Sequence, residues 1–445
     1  MSYWLNLTLF KMGFWLTWAL IPIVVEIIPA IISSLRLLRH NAHPRHLESP
    51  AKWPVISIIV PVYNSADTLF ACLDSIERST YPKAAIQVIV ADNQSTDNSF
   101  AVFAAAQNTF QDLHLSIIHT PKGKARALNN ALYVAIGTYI INIDSDGVLE
   151  PHALTNMILQ FENDDHVAAL TGTILTQKDR LKQHGHVLQY NEYFEYAQAF
   201  LSGRVMESHH NQLFTMSGDF SAFRKEVVLN TFLYDADTIG EDTDMTFQIR
   251  DRLNQRVELC PDAIFYIEPI ANLGQLYTQR QRWQRGEMEV VQQYTHRLSV
   301  RDFFTNFMVR RLLLDHTFLF PRMIWLCASV VLLFFRYSPI MMGMSYVIIY
   351  LLYILVSLFN YLCVLQLLVA FPEERRFYRR QWWVATTLPV YSLVCAFIRL
   401  VGVLNSMTTT VGWNSTPFRA EWRRIKTVVA HDWRAVRLHR KSARK

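Results

Sequence analysis

Cysteine is scarce in this sequence, with five residues scattered through a chain of 445. They form no C-x-x-C pair, and no histidines cluster with them at the spacing of metal ligands. The sequence therefore predicts neither a disulfide framework nor a zinc site. Internal repeats and low-complexity segments are also missing, and the apolar window 12–32 lacks a small-residue cleavage site of the A-x-A kind. We expect that window to remain as an uncleaved anchor.

Charge is also in short supply, since charged residues make up 18% of the chain and hydrophobic residues 51%. The hydrophobic residues concentrate at the two ends, in windows long enough to cross a bilayer. The candidate spans are 12–32, 318–335, 340–371 and 382–404. This pattern predicts a multi-pass protein of the cell membrane. The net charge of +6 comes largely from the C-terminal tail and the membrane-flanking arginines, which favours membrane lipids as partners and not nucleic acid.

The chain divides into four predicted regions. They are an N-terminal transmembrane anchor (1–40), an α/β domain (41–300), C-terminal interfacial and transmembrane helices (301–411) and a basic tail (412–445). The basic residues Arg36, Arg39 and Arg45 follow the apolar window 12–32 and predict that the α/β domain lies in the cytoplasm. Three further spans would put the tail outside, yet its many arginines and lysines favour the cytoplasm.

This contradiction centres on the last two apolar segments. Segment 340–371 is too short for two spans of about 20 residues, and at about 1.5 Å per residue it overshoots a core of about 30 Å as one. Segment 382–404 contains Pro389 and Arg399, so a re-entrant hairpin or an interfacial helix is physically easier there. We predict a cytoplasmic tail and an odd number of true spans.

Strand and helix patterns alternate in the α/β domain. The β-branched runs VISIIVPVYN, IQVIVADN and LSIIHT each precede a helix-like segment, and YIINIDSD follows as a fourth strand. This alternation predicts a Rossmann-like, mainly parallel sheet. The strands end in polar residues, namely Tyr63 and Asn64, Asp92 and Asn93, and Asp144 and Asp146. Ligands of open α/β sheets bind beyond the carboxyl ends of the strands, so these residues should share one site.

The segment IDSDG holds Asp144 and Asp146 directly after the fourth strand. One carboxylate can coordinate a divalent cation that bridges a diphosphate, while its neighbour holds the sugar or the ribose. The alternative is a simple turn, since DG after a strand is a common turn signal and an aspartate can cap its own loop. The pattern alone leaves both alternatives open.

Two later segments also allow both a structural interpretation and a functional one. In GEDTD, Glu241 and Asp242 favour a helix start, or Asp242 serves as a general base that deprotonates a sugar hydroxyl. In QRQRW, Gln279, Arg282 and Trp283 fit an interfacial helix with Trp283 in the aromatic belt. Alternatively, Arg282 meets the charge of a diphosphate and Trp283 stacks on an acceptor sugar.

With these motifs in order, the region 55–286 resembles the membrane-embedded family-2 glycosyltransferases of the GT-A fold. The similarity is strongest to the processive synthases of cellulose, chitin, hyaluronan and poly-N-acetylglucosamine. The motifs are VPVYN, ADNQSTDNS, KGKARALN, DSD, GEDTD and QRQRW, the last matching the family's QxxRW. Each motif is weak alone, but the ordered set is specific. The resemblance implies a cytoplasmic GT-A domain at 41–300, flanked by transmembrane helices.

The resemblance also implies a role for each motif residue. Donor and nucleotide contacts would be Pro61, Tyr63, Asp92, Lys124 and Asp144, the metal ligand Asp146, the catalytic residues Asp242 (as base) and Glu241, and the gate for acceptor and diphosphate Gln279, Arg282 and Trp283. The implied cofactor is Mg²⁺ or Mn²⁺. The implied donor is a UDP-sugar, with UDP-N-acetylglucosamine as one candidate, and the acceptor is a glycan or a lipid-linked sugar.

The expected activity is an inverting, metal-dependent sugar transfer to a growing polysaccharide at the membrane. Two alternatives remain, namely a single transfer to a lipid-linked acceptor and a membrane scaffold without catalysis. QxxRW favours the polymer, and the acids at 144, 146 and 242 disfavour the scaffold. A transporter is disfavoured because the polar residues lie outside the spans. Asp219 departs from the small or apolar residue of many relatives, which leaves the acceptor open, and the sequence names no export partner.

Overall fold

The computed structural model describes only part of the chain. The described residues are 23, 27–40, 47–181, 187–209, 211–295 and 339–408. Most of the predicted first span, the whole predicted span 318–335 and the predicted basic tail 412–445 lie outside them.

Eight strands of the described residues form one sheet. They are β1 (Ile56–Val62), β2 (Ile86–Asp92), β3 (His114–His119), β4 (Tyr139–Ile143), β5 (Gly147–Leu149), β6 (Val167–Thr176), β7 (Phe220–Arg224) and β8 (Arg256–Ile267). Their order across the sheet is β3-β2-β1-β4-β7-β6-β8-β5.

Thirteen α-helices are described alongside the sheet. They are α1 (Ile28–His40), α2 (Leu69–Glu77), α3 (Ser99–Thr109), α4 (Lys124–Val134), α5 (Ala153–Asn163), α6 (Val187–Tyr196), α7 (Arg204–His209), α8 (Lys225–Leu229), α9 (Glu241–Phe247), α10 (Leu273–Thr295), α11 (Pro339–Leu367), α12 (Pro372–Arg380) and α13 (Val384–Thr408). A π-helical segment, Ala197–Gly203, joins α6 to α7.

The first half of the sheet forms as the sequence predicts. Strands β3, β2, β1 and β4 lie side by side and run parallel. Strands β1, β2 and β4 are almost wholly buried, because helices cover both faces, as is usual for parallel sheets. The carboxyl ends of these strands therefore meet at one edge.

The expectation of a mainly parallel sheet is wrong for the second half, because the sheet is mixed. Strand β7 runs antiparallel to both β4 and β6, and β5 runs antiparallel to β8. The chain leaves β6, forms α6 and α7, and re-enters the sheet at the same edge. Apolar runs as short as FSAFR do not encode strand direction, so the sequence could not show this reversal.

The C-terminal helices pack on the α/β domain. Phe194 of α6 stacks on Tyr378 of α12 with ring centroids 4.2 Å apart, and Tyr361 of α11 stacks on the same tyrosine at 5.3 Å. Glu374 of α12 is buried and accepts a hydrogen bond of 2.8 Å from the hydroxyl of Tyr193. Helices α6, α11, α12 and α13 thus share one apolar core.

Two described helices are long and apolar enough to cross a membrane, over Met342–Ala370 and Val384–Val403. Segment 340–371 contains one helix of 29 residues, followed by a short 3₁₀ turn. The hairpin considered for 382–404 is wrong, because α13 is continuous through Pro389. A proline near the start of a helix removes only one hydrogen bond there, which a helix tolerates. The interfacial-helix alternative remains.

Candidate active site

A cleft of about 1400 Å³ opens at the carboxyl ends of β1 and β4, bounded by α9, α10 and α13. Most residues predicted as site residues line it, although they come from distant parts of the chain. They are Pro61, Tyr63, Lys124, Asp144, Asp146, Glu241, Asp242, Arg282 and Trp283. Asp92 and Gln279 do not line this cleft. The structure therefore brings most of the predicted set together.

Lys124, the first residue of α4, forms the central ion pair of the cleft. Its Nζ lies 2.6 Å and 2.8 Å from the two carboxylate oxygens of Asp144 and donates to the carbonyl of Gly218 at 3.3 Å. Burial alone would lower the pKa of Lys124, but Asp144 and Glu241, with a smaller contribution from Asp219, outweigh burial and raise it. The lysine is therefore a fixed cation at neutral pH.

Asp146 lies two residues after Asp144 and is exposed to the cleft. The pKa of Asp146 is raised, first because the surrounding protein excludes part of the water and then because of the charge of Asp144. Lys124 and Arg282 oppose this shift. Arg282 of α10 is thus close enough to act electrostatically on an aspartate at the end of β4. A bound cation would relieve the repulsion between Asp144 and Asp146.

Glu241 and Asp242 begin α9 and also line the cleft. The Asp242 carboxylate accepts hydrogen bonds from the N–H groups of Gly218 (3.2 Å) and Thr243 (2.7 Å), which fix its orientation. Glu241 is buried, and its carboxylate lies 3.9 Å from Nζ of Lys124. Burial raises the pKa of Glu241 to about 7, with Lys124 lowering it and Asp242 raising it.

A contact between two glycines holds α9 against α10. A Cβ added at Gly240 would meet the carbonyl oxygen of Gly286 at 2.8 Å, and one added at Gly286 would meet the Gly240 backbone at 3.1 Å. Only glycine permits backbones to approach this closely. The GEDTD and QRQRW motifs are therefore adjacent in the structure.

Asp219 lines the cleft, although the sequence predicted no role for it. It precedes β7, and its carbonyl accepts the N–H of Asp144 at 3.0 Å because β7 lies antiparallel beside β4. Burial, reinforced by Asp144, raises the pKa of Asp219 to about 8, against the opposing effect of Lys124. The only signal in the sequence was its departure from the family pattern.

Trp283 lies in α10 with its indole between aromatic and cationic side chains. The guanidinium of Arg280 lies 4.3 Å from the centroid of the indole. Phe200 meets the same indole edge-on at 6.0 Å. Arg280 is itself buried and paired with Glu195 at 2.5 Å. The motif QxxRW gives no signal for Arg280, since this residue occupies one of its variable positions.

Three predicted residues lie at the margin of the cleft or beyond it. Tyr63 is 49% exposed at the rim, so its ring can receive a flat ligand. Asp92 accepts the N–H of Ser95 at 3.1 Å and pairs with His119 at 3.0 Å. Gln279 donates to the hydroxyl of Tyr196 at 3.3 Å and does not line the cleft.

Helix α13 also contributes to the cleft, although the sequence analysis assigned it to the membrane region. Ser392, Cys395, Ala396 and Arg399 line the cleft. The Nε of Arg399 donates to Gln284 of α10 at 2.9 Å. The charge inside this apolar segment therefore has a partner on the α/β domain.

The donor set is compatible with a hard divalent cation that has further ligands. Such cations prefer carboxylate oxygens, and the charge of Asp144 raises the pKa of Asp146 despite the opposing effect of Lys124. Among the residues that the structure describes, no three His, Cys, Asp or Glu side chains are grouped to enclose a metal on their own. A cation at Asp146 would therefore share its ligands with a bound anion such as a diphosphate.

Part of the chain is similar to a known protein family. The profile of glycosyl transferase family 2 matches residues 57–232. This segment includes strands β1 to β7 and the aspartates of IDSDG, but ends before α9 and α10.

Curated relatives extend the similarity beyond that segment. The poly-beta-1,6-N-acetyl-D-glucosamine synthase of Staphylococcus aureus (strain MSSA476) is 27% identical over 256 residues. The enzyme of the same name from Staphylococcus epidermidis is 25% identical over 257 residues. Each alignment covers 58% of this chain and 58% of the relative, so the chain spans well under two thirds of their length.

A solved structure shows the same fold. The mannosyltransferase PcManGT from Pyrobaculum calidifontis, in complex with GDP-Man and Mn²⁺, aligns with a TM-score of 0.52 and 18% identity. The alignment covers 86% of this chain and 98% of that one. The mixed α/β architecture is therefore GT-A-like.

Proposed function

We propose that this chain is an inverting, metal-dependent glycosyltransferase, because the profile of glycosyl transferase family 2 matches residues 57–232. In this proposal it moves a sugar from a UDP-sugar to a growing polysaccharide at the membrane. UDP-N-acetylglucosamine is the first donor to test, because the curated relatives are named as synthases of its polymer. The acceptor is a glycan or a lipid-linked sugar.

One observation supports this proposal above the others. Lys124, Asp144, Asp146, Asp242 and Trp283 come from four separate motifs, yet all line one cleft. Ligand pockets usually measure about 300–1,000 Å³, so a cleft of about 1400 Å³ has room for a nucleotide sugar and an acceptor together. A turn or an interfacial helix would not require this convergence.

The donor side is assigned to the strand ends. Tyr63 would stack on the uracil, with Pro61 and Asp92 shaping the loops that hold the nucleoside. Lys124 and Asp144 would contact the nucleotide, and Asp146 would hold Mg²⁺ or Mn²⁺. When bound, the cation supplies positive charge that stabilises the departing UDP. Arg282 adds a second positive charge from α10.

The acceptor side is assigned to α9 and α10. Asp242 would remove the proton of the acceptor hydroxyl as this oxygen attacks the anomeric carbon from the face opposite UDP. The two N–H donors on Asp242 hold its carboxylate in place for that task. Trp283 would carry the acceptor sugar on its indole face, and Gln279 would support the helix through Tyr196.

Membrane attachment is part of the same proposal. We assign 1–40 to an N-terminal anchor, 41–300 to the cytoplasmic catalytic domain, 301–411 to interfacial and transmembrane helices, and 412–445 to a basic cytoplasmic tail. The exposed apolar surface of α11 supports this division, as does the packing of α11 to α13 on the catalytic domain.

The test is an assay of purified full-length protein with a panel of UDP-sugars and either Mn²⁺ or Mg²⁺. We expect one donor to release UDP at a rate that needs the cation, and sizing of the product to give a ladder of chain lengths. Asp242→Asn is the matched control for contaminating activity. A single added sugar would favour the lipid-linked alternative, and no UDP release from any donor would favour the scaffold.

A further inference from the structure

Asp219 lies between the donor side and the acceptor side of the cleft. Its carbonyl accepts the N–H of Asp144, just after β4, at 3.0 Å. The preceding residue, Gly218, accepts a hydrogen bond of 3.3 Å from Nζ of Lys124 and donates its N–H to Asp242 at 3.2 Å. The backbone of two consecutive residues is therefore joined to candidate nucleotide contacts on one side and to the candidate base on the other.

The carboxylate of Asp219 faces the cleft without a partner. Asp219 lines the cleft, and among the residues that the structure describes none donates a hydrogen bond to its side chain. The charges that act on this carboxylate are those of Asp144, Lys124, Asp146 and Asp242. A carboxylate in this position can accept hydrogen bonds from a ligand.

The backbone contacts of residues 218 and 219 do not explain the acidic side chain. The N–H and carbonyl groups that bind Lys124, Asp144 and Asp242 are present in any residue other than proline. An unpaired carboxylate among other acids is also costly, because like charges disfavour each other's ionised forms. We therefore looked for a ligand group that this carboxylate can recognise.

The proposed reaction brings the transferred sugar to this part of the cleft. In an in-line displacement, the anomeric carbon lies between the leaving diphosphate and the attacking hydroxyl. The diphosphate is assigned to the cation at Asp146, and the attacking hydroxyl to Asp242. Since the charges of both residues act on Asp219, its side chain lies beside the sugar between them.

A carboxylate beside a sugar distinguishes hydroxyl groups from acidic groups. Sugar hydroxyls donate strong hydrogen bonds to a carboxylate, whereas the carboxylate of a uronic acid would be repelled. The cation that accompanies the nucleotide favours the ionised form of the acids around it. The discrimination between hydroxyl and carboxylate groups is therefore present in the loaded site.

We propose that Asp219 determines donor specificity, because its carboxylate accepts hydrogen bonds from hydroxyl groups of the transferred sugar and so selects uncharged sugars over uronic acids. This proposal rests on the proposed function, since it names the class of sugar for the same cleft. The role concerns recognition only, and Asp242 remains the base.

Calorimetry with three ligands tests this role in the full-length protein. UDP, UDP-N-acetylglucosamine and UDP-glucuronic acid would each be titrated with Mn²⁺ into the unmodified protein, Asp219→Ala and Asp219→Asn, without acceptor. UDP lacks the sugar, so its affinity shows whether the rest of the cleft is intact. Asp165→Asn, which removes an exposed carboxylate outside the cleft, is the control for the loss of one charge.

We expect Asp219→Ala to bind UDP-N-acetylglucosamine roughly 10- to 100-fold more weakly, the scale of one hydrogen bond to a charged group. Its affinity for UDP should not change. The unmodified protein should prefer UDP-N-acetylglucosamine to UDP-glucuronic acid, and Asp219→Asn should narrow this preference about tenfold or more, because a repelling charge is removed. Asp165→Asn should bind all three ligands like the unmodified protein.

Three results would overturn the proposal. They are an unchanged affinity of Asp219→Ala for UDP-N-acetylglucosamine, an equal loss for UDP and UDP-N-acetylglucosamine, and tighter binding of UDP-glucuronic acid by the unmodified protein. The assay of UDP release tests the proposed function separately. Turnover of no donor, with sugar binding that depends on Asp219, would refute the transferase and support the sugar contact.

Discussion

Carboxylate side chains outnumber cationic side chains in the lining of the cleft. Five of the carboxylates that line it act on one another electrostatically, namely Asp144, Asp146, Asp219, Glu241 and Asp242. The cations that act on them directly are Lys124, which pairs with Asp144, and Arg282, which acts on Asp146. Burial raises the pKa values of Asp219 and Glu241 to about 8 and about 7. A bound cation, such as one that accompanies a nucleotide, would therefore reduce the repulsion between these carboxylates.

The assignment of the base gives the first prediction. Asp242→Asn should reduce kcat at least ~10²-fold, the usual contribution of a positioned general base. UDP binding should change little, because the substitution keeps the shape of the side chain. Initial rates and calorimetry on the same preparation measure the two effects.

Glu241→Gln is the comparison for that experiment, since Glu241 is the adjacent acid in α9. We expect its loss of kcat to be the smaller one, because Glu241 is buried beside Lys124. If Asp242→Asn turned over like the unmodified protein while Glu241→Gln did not, the base would be Glu241.

Asp219 gives a prediction about stability and pH. Its pKa is about 8 in the folded protein and near 3.8 without the fold. Because its pKa is higher in the folded state, Asp219 keeps its proton to a higher pH there than in the unfolded chain. Its contribution to the free energy of unfolding is therefore fully present below about pH 4 and is lost as the pH rises towards 8. Without metal, the melting temperature should therefore fall between pH 5 and pH 8 more steeply than that of Asp219→Asn.

The control for this melt is Asp165→Asn, whose side chain is 95% exposed in the unmodified protein. That variant should follow the unmodified protein at every pH. Parallel curves for Asp219→Asn and the unmodified protein would mean that Asp219 is not the titrating group.

Site residues could be predicted where their chemistry lies in one motif. The motifs DSD and GEDTD identified Asp144, Asp146, Glu241 and Asp242 as candidates, and all four line the cleft. Asp219 received no role, because its proximity to Asp144 depends on the antiparallel pairing of β7. No local pattern encodes a neighbour that a strand reversal brings from 75 residues away.

At the scale of elements, α10 carries the candidate acceptor platform. Arg280 stacks on the Trp283 indole and is held by Glu195, which also accepts the hydroxyl of Tyr391 at 2.9 Å. A chain of contacts thus links α13, through α6, to the indole. The position of Trp283 is set by three helices and not by its own helix alone.

If Trp283 carries the acceptor, Trp283→Ala should stop elongation and leave UDP binding intact. Trp283→Phe should restore part of it, because a stacking face remains. Product ladders on gels measure chain length, and Trp382→Ala, which removes an exposed tryptophan, is the matched control. Ladders of unchanged length from Trp283→Ala would support a membrane-anchor role.

The elements themselves were predictable to different degrees. Strands β1, β2, β3 and β4 were found from their β-branched runs, because burial on both faces leaves a clear signature. The reversal at β7 was not found, for the reason given above. Helix α13 looked like a span by composition, and only its contacts with α6 and α10 show a face turned towards the cleft.

At the scale of the whole molecule, the helix directions bear on the topology. Helices α1 and α11 run parallel, since Ser34 donates to Asn360 at 3.0 Å and Gln366 donates to the carbonyl of Leu38 at 3.3 Å. The carboxyl ends of both helices therefore lie on the side of the α/β domain. If both cross the membrane, one more crossing must lie between them, where the sequence predicts a span at 318–335.

We predict a cytoplasmic tail and an odd number of crossings, because the basic composition of the tail favours the cytoplasm. Alkaline phosphatase fused after Lys445 is active only outside the cytoplasm, so we expect the fusion to be inactive in cells. A fusion of green fluorescent protein at the same residue should fluoresce and serves as the expression control. Strong phosphatase activity would restore the count of four spans.

The central claim is that the acidic cleft binds a nucleotide together with a divalent cation. Calorimetric titration of UDP into the purified protein, with and without Mn²⁺, tests it most directly, and Asp146→Ala serves as the paired variant. We expect UDP binding that requires Mn²⁺ and is lost in Asp146→Ala. UDP binding of equal strength without the cation, or in Asp146→Ala, would contradict it.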